Sequence, residues 1–224
     1  MGPGQGVLTR FLVDRIDQYK VVEIDQDMVD KINADIPQLR ADQIIFKDIM
    51  KLDVRNVFND QPFSLVGNFP YNISSQLLFI MYEYEDLIPT MIGMYQKEVA
   101  DRVLASHGNK TYGILSVLLQ SLYDCKKLFN VSPGSFNPPP KVDSTVIKLT
   151  RNPDKQLDCD KKLFKRVVKM AFNQRRKMLK NNLKLLIGDE EILKEEIFSM
   201  RAEQLSVADF INITKRIESL NLNQ

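Results

Sequence analysis

The 224-residue sequence predicts an α/β fold, with a parallel sheet covered on both faces and a small all-helical domain after it. Three observations carry this prediction. Short apolar runs alternate with helix-length amphipathic segments through the first two-thirds of the chain, the pattern of strands joined by crossover helices. Three of the four early runs end in polar or acidic residues, where open parallel sheets place their ligands. Beyond the polar segment RNPDKQLDCD (151–160) only helical periodicity remains, so that segment reads as a linker.

A glycine-rich turn, GPGQG at Gly2–Gly6, stands first and is followed by the helical pattern VLTRFLVDRI. Strands are expected at KVVEID (20–25), QIIFKD (43–48), FSLVGNF (63–69) and TMIGMYQ (90–96), with helices over 27–34 and 75–84 among them. Two amphipathic helices, 97–106 and 112–123, precede strands at 126–131 and 144–149, which flank the proline-rich loop SPGSFNPPPKVD. Helices are then expected over 161–186, 190–200 and 207–220. The expected division is a first domain over 1–151 and a helical domain over 152–224.

Composition removes several chemistries. The two cysteines, Cys125 and Cys159, are isolated, and the one histidine, His107, sits in the polar stretch SHGNK. A disulfide framework, a zinc site and a histidine-based triad are therefore excluded, and no metal is expected. No apolar run is long enough to span a bilayer and no signal peptide is visible, so a cytoplasmic protein without membrane attachment is expected. The net charge of +2 is uninformative, but its distribution is not. From Lys161 to Gly188 there is no acid, while Lys165, Arg166, Lys169, Arg175, Arg176, Lys177 and Lys180 all fall there. Such local asymmetry points to a polyanion, although a solvated helix face would also be basic. Phe164, Val167, Val168, Ala171 and Phe172 form the apolar stripe of the same segment.

Taken alone, the glycine turn could be a flexible leader, and each strand-end acid could be a solvated carboxylate. Together they describe a nucleoside pocket. Glycines admit a cofactor close to the backbone. Glu23 ends the next strand about 20 residues on, where an acid commonly accepts from ribose hydroxyls. Asp48 ends the strand after that, placed to accept from an adenine amine. No lysine-bearing phosphate loop is present.

NFPY, Asn68–Tyr71, follows the third strand and is the most informative segment. An adenine amine is a poor nucleophile because its lone pair is delocalised into the ring. Hydrogen bonds accepted from its two N–H groups favour a pyramidal nitrogen with the lone pair free. Asn68 offers an amide oxygen, and Pro70 fixes the backbone so that neighbouring carbonyls are held. Tyr71 offers a ring face for a flipped-out base, worth roughly 1–3 kcal/mol. The competing structural explanation is a tight proline turn with a packed tyrosine.

The stretches NFPYNIS (68–74), FNPPPKVDS (136–144) and FNQRRKMLKNNL (172–183), in this order, resemble the KsgA-type small-subunit rRNA adenine dimethyltransferases. The resemblance extends from Gly2 to about Ile217. It implies a Rossmann-like class I methyltransferase domain with a small C-terminal helical RNA-binding domain. It further implies S-adenosylmethionine as cofactor, with Gly2 and Gly4 lining its site, Glu23 on the ribose, and Asp48 with Ile49 on the adenine. Asn68 would touch both the cofactor and the target amine, and Tyr71 would stack on the target base. Phe136 is either the base's second face or a core residue anchoring the proline loop. The implied activity is dimethylation of two adjacent adenines near the 3′ end of small-subunit rRNA, on an immature subunit, by a monomer.

The resemblance also implies a first sheet strand and a cofactor motif before the glycine turn, whereas Met1 adjoins Gly2 here. The chain thus reads as a truncated part of a longer one, with ladder groups of the neighbouring strands left open and cofactor binding weakened. Two alternatives follow: a large-subunit rRNA adenine methylase of the antibiotic-resistance type, and a non-catalytic RNA-binding assembly factor.

Overall fold

The computed structural model describes residues 2–221. Two compact units are present, one of Met1–Lys97 with Lys127–Thr150, the other of Glu98–Lys126 with Arg151–Gln224. The chain passes into the second unit for the last time between Thr150 and Arg151. The segment 98–126 belongs to that unit as well, so the helical unit is not confined to the C-terminal stretch.

In the first unit α1 (Val7–Leu12) leads to β1 (Val21–Glu23), α2 (Gln26–Asp35), β2 (Ile44–Phe46), β3 (Ser64–Asn68), α3 (Ser74–Glu83) and β4 (Thr90–Gln96). After α4 (Lys97–Leu104) and α5 (Ile114–Gln120) come β5 (Tyr123–Val131) and β6 (Ser144–Arg151). The strands form two sheets, where one had been expected. β1 and β2 pair in parallel, and the larger sheet runs β3-β4-β6-β5. Its β3–β4 pair is parallel and its β4–β6 pair antiparallel. β6 follows β5 through the loop 132–143, without a crossover helix between them.

The ends of the strands are fixed by local chemistry. Asp25 caps α2, its carboxylate accepting from the amides of Asp27 at 2.9 Å and Met28 at 3.4 Å, a contribution of about 1 kcal/mol. Val21 of β1 then packs with Ile32, Ile36 and Leu39 as a small core. Lys47 N–H donates to the Glu23 carbonyl at 2.8 Å, so that carbonyl faces β2. The Val22 carbonyl therefore faces the opposite edge, where it accepts from Gly2 N–H at 2.9 Å. Among the described residues no strand joins β1 to β3.

In the second unit α6 (Lys161–Ala171) starts at Asp160, whose carboxylate accepts from Leu163 N–H at 2.7 Å. Its stripe of Phe164, Val167, Val168 and Ala171 is buried, as are Leu179, Leu183 and Ile187 of α7 (Leu179–Ile187). The short α8 (Glu196–Ser199) and the longer α9 (Val207–Asn221) complete it. The single helix expected over 161–186 is broken at 172–178. Asn182 Nδ2 donates to the Ala171 carbonyl at 2.6 Å and to the Gln174 carbonyl at 3.3 Å, closing the end of α6. Arg175 donates to the carbonyls of Lys110 at 2.7 Å and Tyr112 at 2.6 Å, and lies 5.9 Å from the Phe172 ring centre. Phe172 itself stacks on Phe210 with centroids 5.8 Å apart.

Candidate active site

Each part of NFPY is held by a different constraint. Asn68 closes β3 opposite Met94, is exposed, and has no side-chain hydrogen-bond partner among the described residues. Phe69 is buried at 1 % exposure with its ring 5.6 Å from that of Tyr95. The ring fits only because residue 93 is glycine: a Cβ there would lie 2.4 Å from Phe69 Cε2 and 2.8 Å from Tyr95 Cε2. The Pro70 carbonyl accepts from Ile73 N–H and from Ser74 Oγ, both at 3.2 Å, which fixes the turn into α3. That carbonyl is therefore occupied, whereas the Asn68 side-chain amide has no partner among the described residues. Tyr71 donates to or accepts from Ser144 Oγ at 2.6 Å.

These residues line one cavity of about 290 Å³, bordered by Asn68, Phe69, Pro70, Tyr71, Phe136, Pro138 and Pro140. Phe136 is half-buried and lines this cavity. Three aromatic residues, three prolines and one free amide make a slot suited to a flat, polar-edged ligand.

The other predicted residues gather at the ends of β1 and β2. Gly2 and Gly4 have φ of 55° and 52°, left-handed values that other residues adopt at a cost. A Cβ on Gly4 would meet nothing within 4 Å, and one on Gly2 would lie 3.9 Å from Pro70 Cδ. The glycine turn is thus bonded to β1 through Val22 and adjoins Pro70. Glu23 is buried, and its Oε1 accepts from Ile24 N–H at 2.8 Å and Asp25 N–H at 3.1 Å. Asp48 Oδ1 accepts from Met50 N–H at 2.9 Å. In both acids the backbone fixes one oxygen, and the second has no hydrogen-bond partner among the described residues. Ile49 is half-buried beside Asp48, while Ile24, 62 % exposed, presents an apolar surface beside Glu23.

Three site features escaped the sequence reading. Ile24 could have been noticed as an apolar residue between two acids. Gly93 in the strand TMIGMYQ was a signal that a neighbour approaches closely. Ser144 gave no signal, because its partner lies 73 residues away. Replacing Gly93 with alanine is expected to cost about 1–3 kcal/mol by overpacking, seen as a lower Tm together with reduced turnover as Phe69 shifts. An unchanged Tm would contradict the packing just described.

The basic residues occupy three places. Lys165, Arg166 and Lys169 are on α6, Arg175, Arg176 and Lys177 in the turn after it, and Lys180 at the start of α7. Arg166, Arg176, Lys177 and Lys180 have no ion-pair partner among the described residues, whereas Arg175 is engaged by the two carbonyls above. Burial pushes the thiol of Cys125 up to about 12 and that of Cys159 to about 11, so neither is a thiolate at neutral pH. Among the described residues no helix is long and apolar enough to cross a membrane, and no cluster of His, Cys, Asp and Glu could hold a metal ion.

The protein named ribosomal RNA small subunit methyltransferase A from Bacteroides thetaiotaomicron is 52 % identical over 219 residues, covering 97 % of this chain and 82 % of that protein. Its namesake from Flavobacterium johnsoniae is 49 % identical, covering 98 % and 84 %. Among solved structures, a dimethyladenosine transferase from Plasmodium falciparum aligns with a TM-score of 0.80 at 23 % identity, over 97 % of this chain and 88 % of that one. The 23S rRNA methyltransferase ErmE aligns with a TM-score of 0.62 at 22 % identity, over 96 % and 88 %. These two likenesses concern the fold, which is that of Rossmann-like methyltransferases. Residues 1–219 match the family described as ribosomal RNA adenine dimethylase, and the chain belongs to that family.

Proposed function

We propose that this chain dimethylates the exocyclic amines of adenines in small-subunit ribosomal RNA, with S-adenosylmethionine as methyl donor. The observation that carries the reading is the free Asn68 amide at the edge of a cavity walled by Tyr71 and Phe136. The donor set at the strand ends fits the cofactor's nucleoside. Glu23 would accept from ribose hydroxyls, Asp48 from the adenine amine, and Ile24 and Ile49 would contact the base. Gly2 and Gly4 would let the cofactor's amino-acid end approach the backbone. When bound, the cofactor supplies an electrophilic methyl on a sulfonium.

The chain's own part is positioning and hydrogen bonding. Tyr71 and Phe136 hold the target base between their rings. The Asn68 oxygen accepts from the amine and aligns its lone pair, a bond that strengthens as the nitrogen pyramidalises. The basic residues of α6, the following turn and α7 would bind the RNA backbone. The reading places the protein in the cytoplasm, as a monomer acting on immature small subunits.

The test is transfer of labelled methyl groups to small subunits from cells lacking the modification, followed by nuclease digestion and chromatography. N6,N6-dimethyladenosine from two adjacent small-subunit positions is the expected product. Label in large-subunit RNA, or in another base, overturns the proposal.

A further inference from the structure

We propose that Ser144 is a positioning residue for the reaction: its buried hydroxyl holds the Tyr71 ring and thereby sets the width of the slot that receives the target base. The inference rests on the function proposed above. Ser144 is the first residue of β6, is completely buried, and lies opposite Gln96 at the end of β4. Its surroundings are fixed on both sides. The preceding Asp143 carbonyl accepts from Lys97 N–H at 2.9 Å, and the following Thr145 Oγ1 donates to Asn130 Oδ1 at 3.0 Å.

Tyr71, by contrast, lies just past β3 in the short turn Tyr71–Ile73 and is only half-buried. Its hydroxyl bond to Ser144 at 2.6 Å ties the far end of its ring to the β6 framework. The same framework carries the opposite wall, since the loop holding Phe136, Pro138 and Pro140 runs directly into Ser144. One hydrogen bond thus couples the wall contributed by β3 to the wall contributed by the proline loop. A stacked base needs both ring faces at van der Waals distance, and an untethered tyrosine retains its torsional freedom. Two hydroxyls merely satisfying each other would stabilise the fold without affecting the slot, and the two roles predict different measurements.

The experiment is a double-mutant cycle of Tyr71→Phe and Ser144→Ala in the full chain. Turnover and Tm are measured, together with quenching of 2-aminopurine placed at the target position of a small-subunit RNA fragment. Each single variant keeps the aromatic ring but loses the tether. Each is expected to lose about tenfold in kcat, the scale of one hydrogen bond, with KM for the cofactor unchanged and base quenching reduced. The double variant should be no worse than either single one, because both changes remove the same bond. Wild-type turnover and quenching in all three variants, or losses that multiply in the double variant, would overturn the tether whatever happens to Tm. The fluorescence arm separates the two proposals. If no variant and no wild-type protein transfers methyl groups, yet tether loss still reduces quenching, the methyltransferase reading fails and the positioning role stands. No quenching by the wild-type protein overturns the positioning role.

Discussion

Replacing Asn68 with alanine is expected to lower kcat for methyl transfer by about 10²–10³-fold, the loss found when one preorganised donor or acceptor to a transition state is deleted. The effect should fall on kcat, because the bond from the adenine amine to the Asn68 oxygen gains strength only as the nitrogen pyramidalises. Asn68 is exposed and makes no side-chain hydrogen bond among the described residues, so Tm should be nearly unchanged. RNA affinity should also hold within about twofold, since a single neutral amide contributes little beside phosphate contacts. Single-turnover kinetics at saturating cofactor, with a filter-binding control, decide the matter. A variant that keeps wild-type kcat removes Asn68 from the chemistry.

The second large effect is expected in RNA binding. Changing Arg166, Arg176, Lys177 and Lys180 together to alanine removes four cations that have no ion-pair partner among the described residues. If each meets a phosphate, the slope of log K against log salt should fall by about 3–4, at roughly 0.7–0.9 per contact. The same relation gives about a thousandfold loss of affinity at 0.1 M salt. Stability should barely change, which sets this variant apart from Arg175→Ala. The Arg175 guanidinium bonds two backbone carbonyls, and hydrogen bonds to a charged group are worth roughly 1.5–3 kcal/mol each. Arg175→Ala should therefore lower Tm clearly. Titrations of the quadruple variant from 0.05 to 0.3 M salt (about that range brackets the steep region) should reveal the shallower slope. An unchanged slope would mean these residues do not contact the backbone of the RNA.

How much of this could be read from the residues depended on the range of the interactions. β4 was expected over 90–96 and is observed at Thr90–Gln96, because its alternation of buried and half-buried positions is a property of consecutive residues. The glycine turn was equally clear, since Gly2, Gly4 and Gly6 all adopt left-handed φ. The break at 172–178 was invisible: FNQRRKM contains neither glycine nor proline, and the helix ends because Asn182 and Arg175 satisfy carbonyls that lie outside their own segment. The grouping of α4 and α5 with the helical unit was hidden for the same reason. In the site, Asn68, Tyr71 and Phe136 came from contiguous motifs, but the Ser144 tether and the space under Phe69 come from strand pairing.

That space has a mechanical consequence. Asn68 and Pro70 stand on either side of an aromatic ring lodged over Gly93, so the reactive turn has a keel. Sliding the turn by even an ångström would require evicting that ring from beneath the sheet. Little backbone entropy remains to be lost when a base arrives, and an acceptor on such a turn meets its amine already aimed.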